Sequence, residues 1–325
     1  RVDRRQRQMC IRDRPITYRP VLHKFIIFCF RCTKSPCYSE CVFNCYITGD
    51  IVSAEAHIRR LMAILVAAIM LATAPVRANE TEITVGVYHF PPIASVNSDG
   101  KVEGFLGGLL EVLEQIHPDV SFHIIHTSPK RRHLDFDAGL YDVIFFQSPD
   151  WGWTEKDVDI TRPILADEEL YVALKKPGRD SSFFNDLRNR SIVAISGYYY
   201  GFTGYETDNS VLEEKFNIEF SDSHTRNMNL IKADRPSVAE VAIISRSYLQ
   251  KHFAQHPQDR DKLLISNEPD QRYQLSIIAR KGGAPSADEM LRLLAPLVDD
   301  GRYRQLVENW GLRLPAGFLT SFEAP

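Results

Sequence analysis

Cysteine is absent after residue 45 of this 325-residue chain. All six cysteines, Cys10, Cys29, Cys32, Cys37, Cys41 and Cys45, precede a short apolar run at Leu61–Ala72. An even cysteine count in an exported chain suggests disulfides. Here the run carries an exit signal, so no disulfide and no lipid-bearing cysteine is expected beyond it. Cys29 and Cys32 form a CxxC, but no second ligand pair follows at finger spacing, so no metal site is expected. The twelve apolar residues Leu61–Ala72 are too few to cross a bilayer of roughly 30 Å, which takes about 20. GxSxG, HExxH and P-loop motifs are missing, which leaves serine-hydrolase, zinc-peptidase and nucleotide-hydrolase readings without support. A basic excess is missing too. The net charge of −3 hides an asymmetry: residues 1–78 hold 13 basic and 5 acidic side chains, and the remainder 26 basic and 37 acidic. A segment at −11 is a poor partner for a phosphate backbone, so no nucleic-acid partner is expected.

What is present begins with Arg59 and Arg60, the apolar run, and TAPVRA, which places Val76 and Ala78 at small-residue positions. A basic start, a short apolar middle and a small-residue exit describe a secretory signal peptide over residues 59–78, cleaved after Ala78, with the periplasm as destination. A buried core helix is the alternative. Residues 1–58, opening RVDRRQRQMCIRDR, read as upstream DNA translated in frame. They are expected to be a non-native or disordered extension, with the start codon shortly before Arg59.

From residue 79 the apolar pattern alternates in period. ITVGVYHFPP (83–92) reads as a buried strand stopped by two prolines, and NSDGK (97–101) as a turn. Phe105, Leu109, Leu113 and Ile116, with Leu106 and Leu110, recur at helical spacing. Strands are expected at 120–126 and 141–146, with a short helix at 131–140 between them. This β, α, β, α, β order implies a parallel sheet with helices on its faces. A strand at 170–174 follows. A second series then offers strands at 191–196, 218–220, 238–245 and 273–280 and helices at 212–216 and 225–233. Ser286 and Glu289 stand at capping-box spacing. Leu291, Leu294 and Val298, then Tyr303, Leu306, Val307 and Trp310, form closing helical stripes. The expected architecture is α/β and bilobal: two β/α lobes joined by two crossing strands, with 79–174 and 275–325 in lobe 1 and 175–274 in lobe 2.

Three stretches carry a family resemblance. ITVGVYHFPPIASVNSDGKVEGFLGGLLEVL resembles the opening strand, aromatic-Pro-Pro, hairpin and Gly-Phe helix of type II extracytoplasmic (periplasmic) solute-binding proteins of ABC transporters, family 3, the polar-amino-acid-binding family. FFNDLRNRSIVAISGYYYG resembles that family's entry to lobe two, and DGRYRQLVENWGL its closing helix and Trp-Gly. The resemblance spans about 83–312. It implies the type II periplasmic-binding-protein fold and capture of a small polar organic ligand, amino-acid-like or other, in an interlobe cleft. It also implies a membrane permease as partner, a monomer, no cofactor and no enzymatic activity. Three departures stand out. The family's Thr-x-x-Arg carboxylate clamp is Thr154-Glu155-Lys156-Asp157 here, and Lys156 is a point charge rather than a bidentate fork. The acidic ammonium partner is replaced by Ser245, with Arg246 next. Leu106-Gly107-Gly108 stands where an Asp commonly follows Gly-Phe. Standard α-amino acids are therefore expected to bind weakly.

In an open α/β sheet, ligands sit outside the strands' carboxyl ends. Tyr88 and Phe90 end the first strand, where rings stack on a ligand or hold a cation; core packing is the alternative. Gln147 and Ser148 follow the third strand as hydrogen-bonding candidates. Trp151 and Trp153 alternate, so at most one is expected to wall a pocket. Tyr198 and Tyr199 sit in a strand-to-helix turn between Gly197 and Gly201, with a surface cluster as the alternative. Thr225 and Arg226 match the family's lobe-two anion position, an N-cap being the other account of Thr225. Ser245 completes the set. No catalytic or metal-binding residue is expected. Two alternatives remain: a dehydratase-like enzyme on this scaffold, favoured by a cleft carboxylate with a raised pKa, and a sensory module reporting to a membrane kinase.

Overall fold

The computed structural model describes His57, residues 59–63 and residues 80–318. The expected extension at 1–58 and the expected signal peptide with its cleavage after Ala78 lie outside the described residues, except for His57 and 59–63. The described residues 80–318 belong to one compact unit, to which the rest of the description applies.

The first series runs β1 (Thr81–Val87), a hairpin of β2 (Ser95–Val96) and β3 (Val102–Glu103), α1 (Phe105–Ile116), β4 (Val120–His126), α2 (Arg132–Asp137), β5 (Val143–Gln147), β6 (Val158–Ile160) and β7 (Leu165–Leu174). The second runs β8 (Ile192–Ile195), α3 (Asn209–Lys215), β9 (Ile218–Ser221), α4 (His224–Lys232), β10 (Val241–Ser245), α5 (Arg246–Gln255), β11 (Leu263–Ile265) and β12 (Gln271–Arg280). Helices α6 (Ala287–Asp299) and α7 (Arg302–Asn309) follow.

Hydrogen bonding orders the strands β4-β1-β5-β12-β7-β10-β8-β9, with β6 against β12 and β11 against β7. β1 pairs in parallel with both β4 and β5, and β8 pairs in parallel with both β9 and β10. Parallel strands need long crossover connections, and α1 packs its apolar face of Phe105, Leu109 and Leu113 inward as one of them. The two series meet through β7 and β12, which are antiparallel along Leu165–Glu169 and Gln271–Leu275. Beyond that overlap β7 pairs with β10, and β12 pairs with β5. Each of these ten-residue strands therefore belongs to both halves, giving the bilobal α/β architecture.

Helix α1 buries Phe105, Leu106, Leu109, Leu110 and Leu113, and each such side chain contributes roughly 1.5–3 kcal/mol. Ser286 and Glu289 form the capping box of α6, whose buried face also includes Met290 and Leu297. The structure corrects three sequence readings. β7 starts at Leu165 rather than Leu170, so the strand includes the acidic run Asp167-Glu168-Glu169. Helix α4 is capped by Ser223, whose Oγ accepts from the Arg226 N–H, and not by Thr225. β6 and β11 are added strands, pairing with β12 and β7.

Candidate functional site

The carboxyl ends of β1, β4, β5 and β8 converge where the two halves meet. Tyr88 follows β1, Arg132 opens α2 after β4, Trp151 lies in the turn after β5, and Tyr198 and Tyr199 follow β8. With Phe90 and Glu169 of β7 these residues line a narrow cleft whose free space, about 10 Å³, holds about one water molecule. Phe90 packs against Tyr88, Trp151 and Tyr198 with ring centroids 5.9, 5.8 and 5.7 Å away. Trp151 also meets Tyr273 at 5.0 Å. These edge-on and stacked contacts suit rings that carry a quadrupole.

Local backbone chemistry sets each wall. Gly197 has φ +79°, and a Cβ at Gly201 would collide with the Asp270 carbonyl oxygen, so the tyrosine triplet is bracketed by two positions that need glycine. Asp270 holds the same turn, accepting from the N–H of Gly201 at 2.7 Å, the N–H of Phe202 at 2.8 Å and the Tyr171 hydroxyl at 2.6 Å. Gln271 of β12 donates to the Tyr199 carbonyl. A crossing strand thus positions the ring-bearing loop. The two halves touch across the cavity: the Tyr198 hydroxyl donates to the His89 carbonyl at 2.7 Å, and the Tyr199 hydroxyl lies 3.5 Å from Nε2 of His133. Burial, together with the Arg132 charge, pulls the His133 imidazole down to about 3, so it stays neutral at ordinary pH.

Gln147 is buried and fully engaged. Its amide nitrogen donates to Tyr88 Oη at 3.3 Å and to the carbonyls of Phe145 and Phe146, and its oxygen accepts from Trp153 Nε1 at 3.2 Å. The end of β5 that aims it is strained: Phe146 has φ 57°, a left-handed conformation costing about 1–2 kcal/mol outside glycine, opposite a register shift in β12. Gln147 therefore braces Tyr88 and Trp153 from behind the cavity. Trp153 packs on His133 and Phe136 in the core, and only Trp151 of the pair faces the cavity. Ser148 is buried, and its carbonyl accepts from the Trp151 N–H.

Thr225, Arg226 and Ser245 are not among the residues lining this cavity. Thr225 Oγ1 lies 2.8 Å from Tyr248 Oη beside a separate groove, Arg226 pairs with Glu219 at 2.8 Å on the surface, and Ser245 caps α5. Lys156 is committed to Asp137 at 2.7 Å.

Two lining residues escaped the sequence reading. Arg132 is 1% exposed, and its guanidinium carbon lies 5.2 and 5.1 Å from the ring centroids of Tyr88 and Tyr199. Its Nε has no hydrogen-bond partner. The available signal was the basic triplet Lys130-Arg131-Arg132 just beyond a strand's carboxyl end. Glu169 is 2% exposed, with Oε1 accepting from the Tyr273 hydroxyl at 3.3 Å and Oε2 without a partner. Burial pushes its carboxyl well above the usual range, and the nearby Asp167 and Asp270 add to the effect. An acidic run abutting the apolar LYVAL was its signal. Trp151 Nε1 is likewise buried without a partner. Among the described residues no group of three or more His, Cys, Asp or Glu is placed to hold a metal, and no helix is long and apolar enough to cross a membrane.

No family model matches the chain, and no curated protein does. Solved structures do match. A mutant of ArgBP from T. maritima is 19% identical, covering 70% of this chain and 94% of that one, with a TM-score of 0.54. An ABC uptake transporter substrate-binding protein from Streptococcus pneumoniae with bound histidine is 15% identical, covering 70% and 92%, with a TM-score of 0.55. The GluR0 ligand-binding core from Nostoc punctiforme in complex with L-glutamate is 16% identical, covering 70% and 98%, with a TM-score of 0.53. At such identities the likeness establishes the fold: this chain has the bilobal periplasmic-binding-type fold that its sequence led us to expect.

Proposed function

We propose that this chain is an extracytoplasmic solute-binding protein of the family 3 kind, capturing a small polar organic ligand between its lobes for an ABC-type permease. The observation that carries the reading is the cavity itself. It sits at the strands' carboxyl ends, is walled by rings from both halves, and holds a guanidinium and a carboxyl group that have buried atoms without partners. Sites of this build bind small ligands. The named ligands of the neighbours, histidine and L-glutamate, support the same class. In this reading 79–174 with 275–325 and 175–274 are the moving lobes, hinged at β7 and β12, and closure buries the ligand. Export through the 59–78 signal peptide, cleavage after Ala78, residence in the periplasm and a monomeric state belong to the same proposal. A thermal-shift screen of amino acids, amines, small carboxylates and sugars tests it. A ligand at a hundredfold excess over its dissociation constant stabilises by about 2.7 kcal/mol. A folded protein that responds to none of these classes refutes the reading.

One observation favours a second reading. Glu169 is a cleft carboxyl with a raised pKa, the feature named above for a dehydratase-like enzyme. Among the described residues its one hydrogen-bond partner is the Tyr273 hydroxyl, and no further acid–base group there lies within hydrogen-bond reach of it to complete a proton relay. Incubation with each stabilising compound separates the two readings, since product formation requires the enzyme.

A further inference from the structure

Away from the cleft, two helices flank a second concavity. Helix α4 lines it with Thr225, Met228, Asn229 and Lys232, and α5 lines it with Tyr248, Lys251, His252 and Gln255. Each set follows the i, i+3, i+4, i+7 spacing of a single helix face. Faces of that spacing are usually apolar and covered. Here Met228 is the one aliphatic member, and the two stripes border an open groove, with Pro91 and Pro92 of the loop after β1 as a further wall. The groove encloses about 380 Å³, far more than the ~10–15 Å³ that a single water needs.

The charge of its lining is of one sign. Lys232, Lys251, His252 and His256 line it, and none of the described lining residues is acidic. That stands out on a segment in which acidic side chains outnumber basic ones by 37 to 26. The carboxylate that organises the cluster is Asp259, which is 3% exposed and does not line the groove. It accepts from Lys232 Nζ and His252 Nε2, each at 3.0 Å, and from Lys262 Nζ at 3.4 Å. These bonds, that of Lys232 foremost, hold its carboxyl down to about 2, so it is a fixed anion. Asp259 thus anchors Lys232 while using one of its three N–H groups, which leaves two to give. Lys251 is held by a ring: its Nζ lies 4.6 Å from the Trp310 centroid, a contact that orients the charge without neutralising it. Thr225 Oγ1 and Tyr248 Oη lie 2.8 Å apart and share one hydrogen, so the other hydroxyl hydrogen is available to an acceptor.

We propose that this groove binds a phosphate group, free or as the head of a phosphate ester, with Lys232 and Lys251 neutralising its charge and the Thr225–Tyr248 hydroxyl pair donating to its oxygens. A phosphate accepts from several sides at once, and the two facing helices supply donors from different sides. A carboxylate has two oxygens and leaves part of that donor set unused. The donors gather on one concavity instead of running along a surface, which suits a compact polyanion better than an extended acidic peptide. The groove shares no lining residue with the cleft, and the proposal stands whether or not the cleft takes a solute. Phosphate has two sources: a soluble phosphate or its ester, and an anionic lipid headgroup.

The experiment is isothermal titration of the full chain with inorganic phosphate, glycerol phosphate, acetate and a glutamate-rich peptide. It is paired with sedimentation on vesicles of phosphatidylglycerol in phosphatidylcholine and with resonance mapping of the bound chain. Phosphate or its ester binds at least roughly tenfold more tightly than acetate, the effect of one charge-assisted hydrogen bond, and affinity falls as salt is raised. Lys251→Glu weakens binding roughly tenfold or more by placing like charges together. Tyr248→Phe keeps the ring and weakens binding about two- to tenfold. The fold of both variants is checked by circular dichroism. Binding of the soluble probes upholds the site with free phosphate as its source. Binding to the anionic vesicles alone, lost in Lys251→Glu, upholds it with the lipid as source. Acetate or the peptide binding as tightly as phosphate, resonance shifts confined to Tyr88, Trp151 and Tyr199 in the cleft, affinities unmoved by Lys251→Glu, or no binding of phosphate, ester or vesicles each overturns it.

Discussion

Glu168 and Glu169 are neighbours on β7, both almost fully buried, and they live in opposite worlds. Alternation along a strand sends them to opposite faces. Glu168 is met by three arginines: Arg246, Arg272 at 3.3 Å and Arg313 at 3.7 Å. Glu169 points among aromatic rings, takes one hydrogen bond from Tyr273, and keeps an oxygen open. A carboxylate surrounded by cations on a crossing strand holds structure together. One kept short of partners in a cavity is available to a ligand. Identical chemistry one residue apart thus divides between an ion-paired cluster and a sparsely partnered cleft wall, and only the strand's period decides which is which.

The contrast can be broken by substitution, the largest effect coming first. Glu168→Ala strands three guanidinium groups beside one another, and urea unfolding should show a loss of about 2–4 kcal/mol, below the full cost of a buried pair because the arginines reach solvent. A loss under about 1 kcal/mol would mean that the cluster is ornamental. Asp167, on the Glu169 face, is pushed up to about 6 by burial against the bond it accepts from Ser247. A raised folded-state pKa means that the native state holds its proton longer than the unfolded chain does. Stability from this group is thus lost as pH rises from about 4 to about 6 and is flat above that. Asp167→Asn should remove about 2–3 kcal/mol of that pH dependence, read as the difference between wild-type and variant unfolding free energies across pH.

Glu169→Gln should act in the opposite direction to Glu168→Ala. Without ligand it leaves stability unchanged or raises it by about 1–2 kcal/mol at neutral pH, because a carboxyl that is costly to ionise is replaced by a neutral amide. The gain should vanish on acidification, since the wild-type group is then protonated in both states. Arg313→Ala marks the lower end. Its contact is long and its side chain largely exposed, so a change below about 0.5 kcal/mol and unaltered ligand binding are expected from the same unfolding and titration measurements.

Much of the fold could be read from the residues because its signals are local. The helical recurrence Phe105-Leu109-Leu113, the Ser286/Glu289 box and the glycines bracketing the tyrosine triplet each report on their own few neighbours. The site was read less evenly. Tyr88, Phe90, Trp151, Tyr198 and Tyr199 were nominated by lying at strand ends and do line the cavity. Gln147 and Trp153 were nominated by the same logic but turn inward to each other, a choice made by the strained backbone at Phe146 near the end of β5. Thr225 lies beside a different groove and Arg226 on the surface, because α4 presents them to Tyr248 and Glu219. Arg132 and Glu169 were passed over: a charged residue in a basic or acidic run looks solvated until packing covers it.

Sequence by itself determined two successive β/α series, the apolar faces that bury their helices, and a run of ring-bearing residues at strand ends. These follow from periodicity, caps and turn chemistry, whose range is a few residues. Only the tertiary structure decided that β7 begins early enough to carry Glu169 inward, and that Arg132 arrives opposite it with no anion of its own. Burial and pairing across the chain are properties of the packed body, and no local pattern encodes which charge will be left waiting.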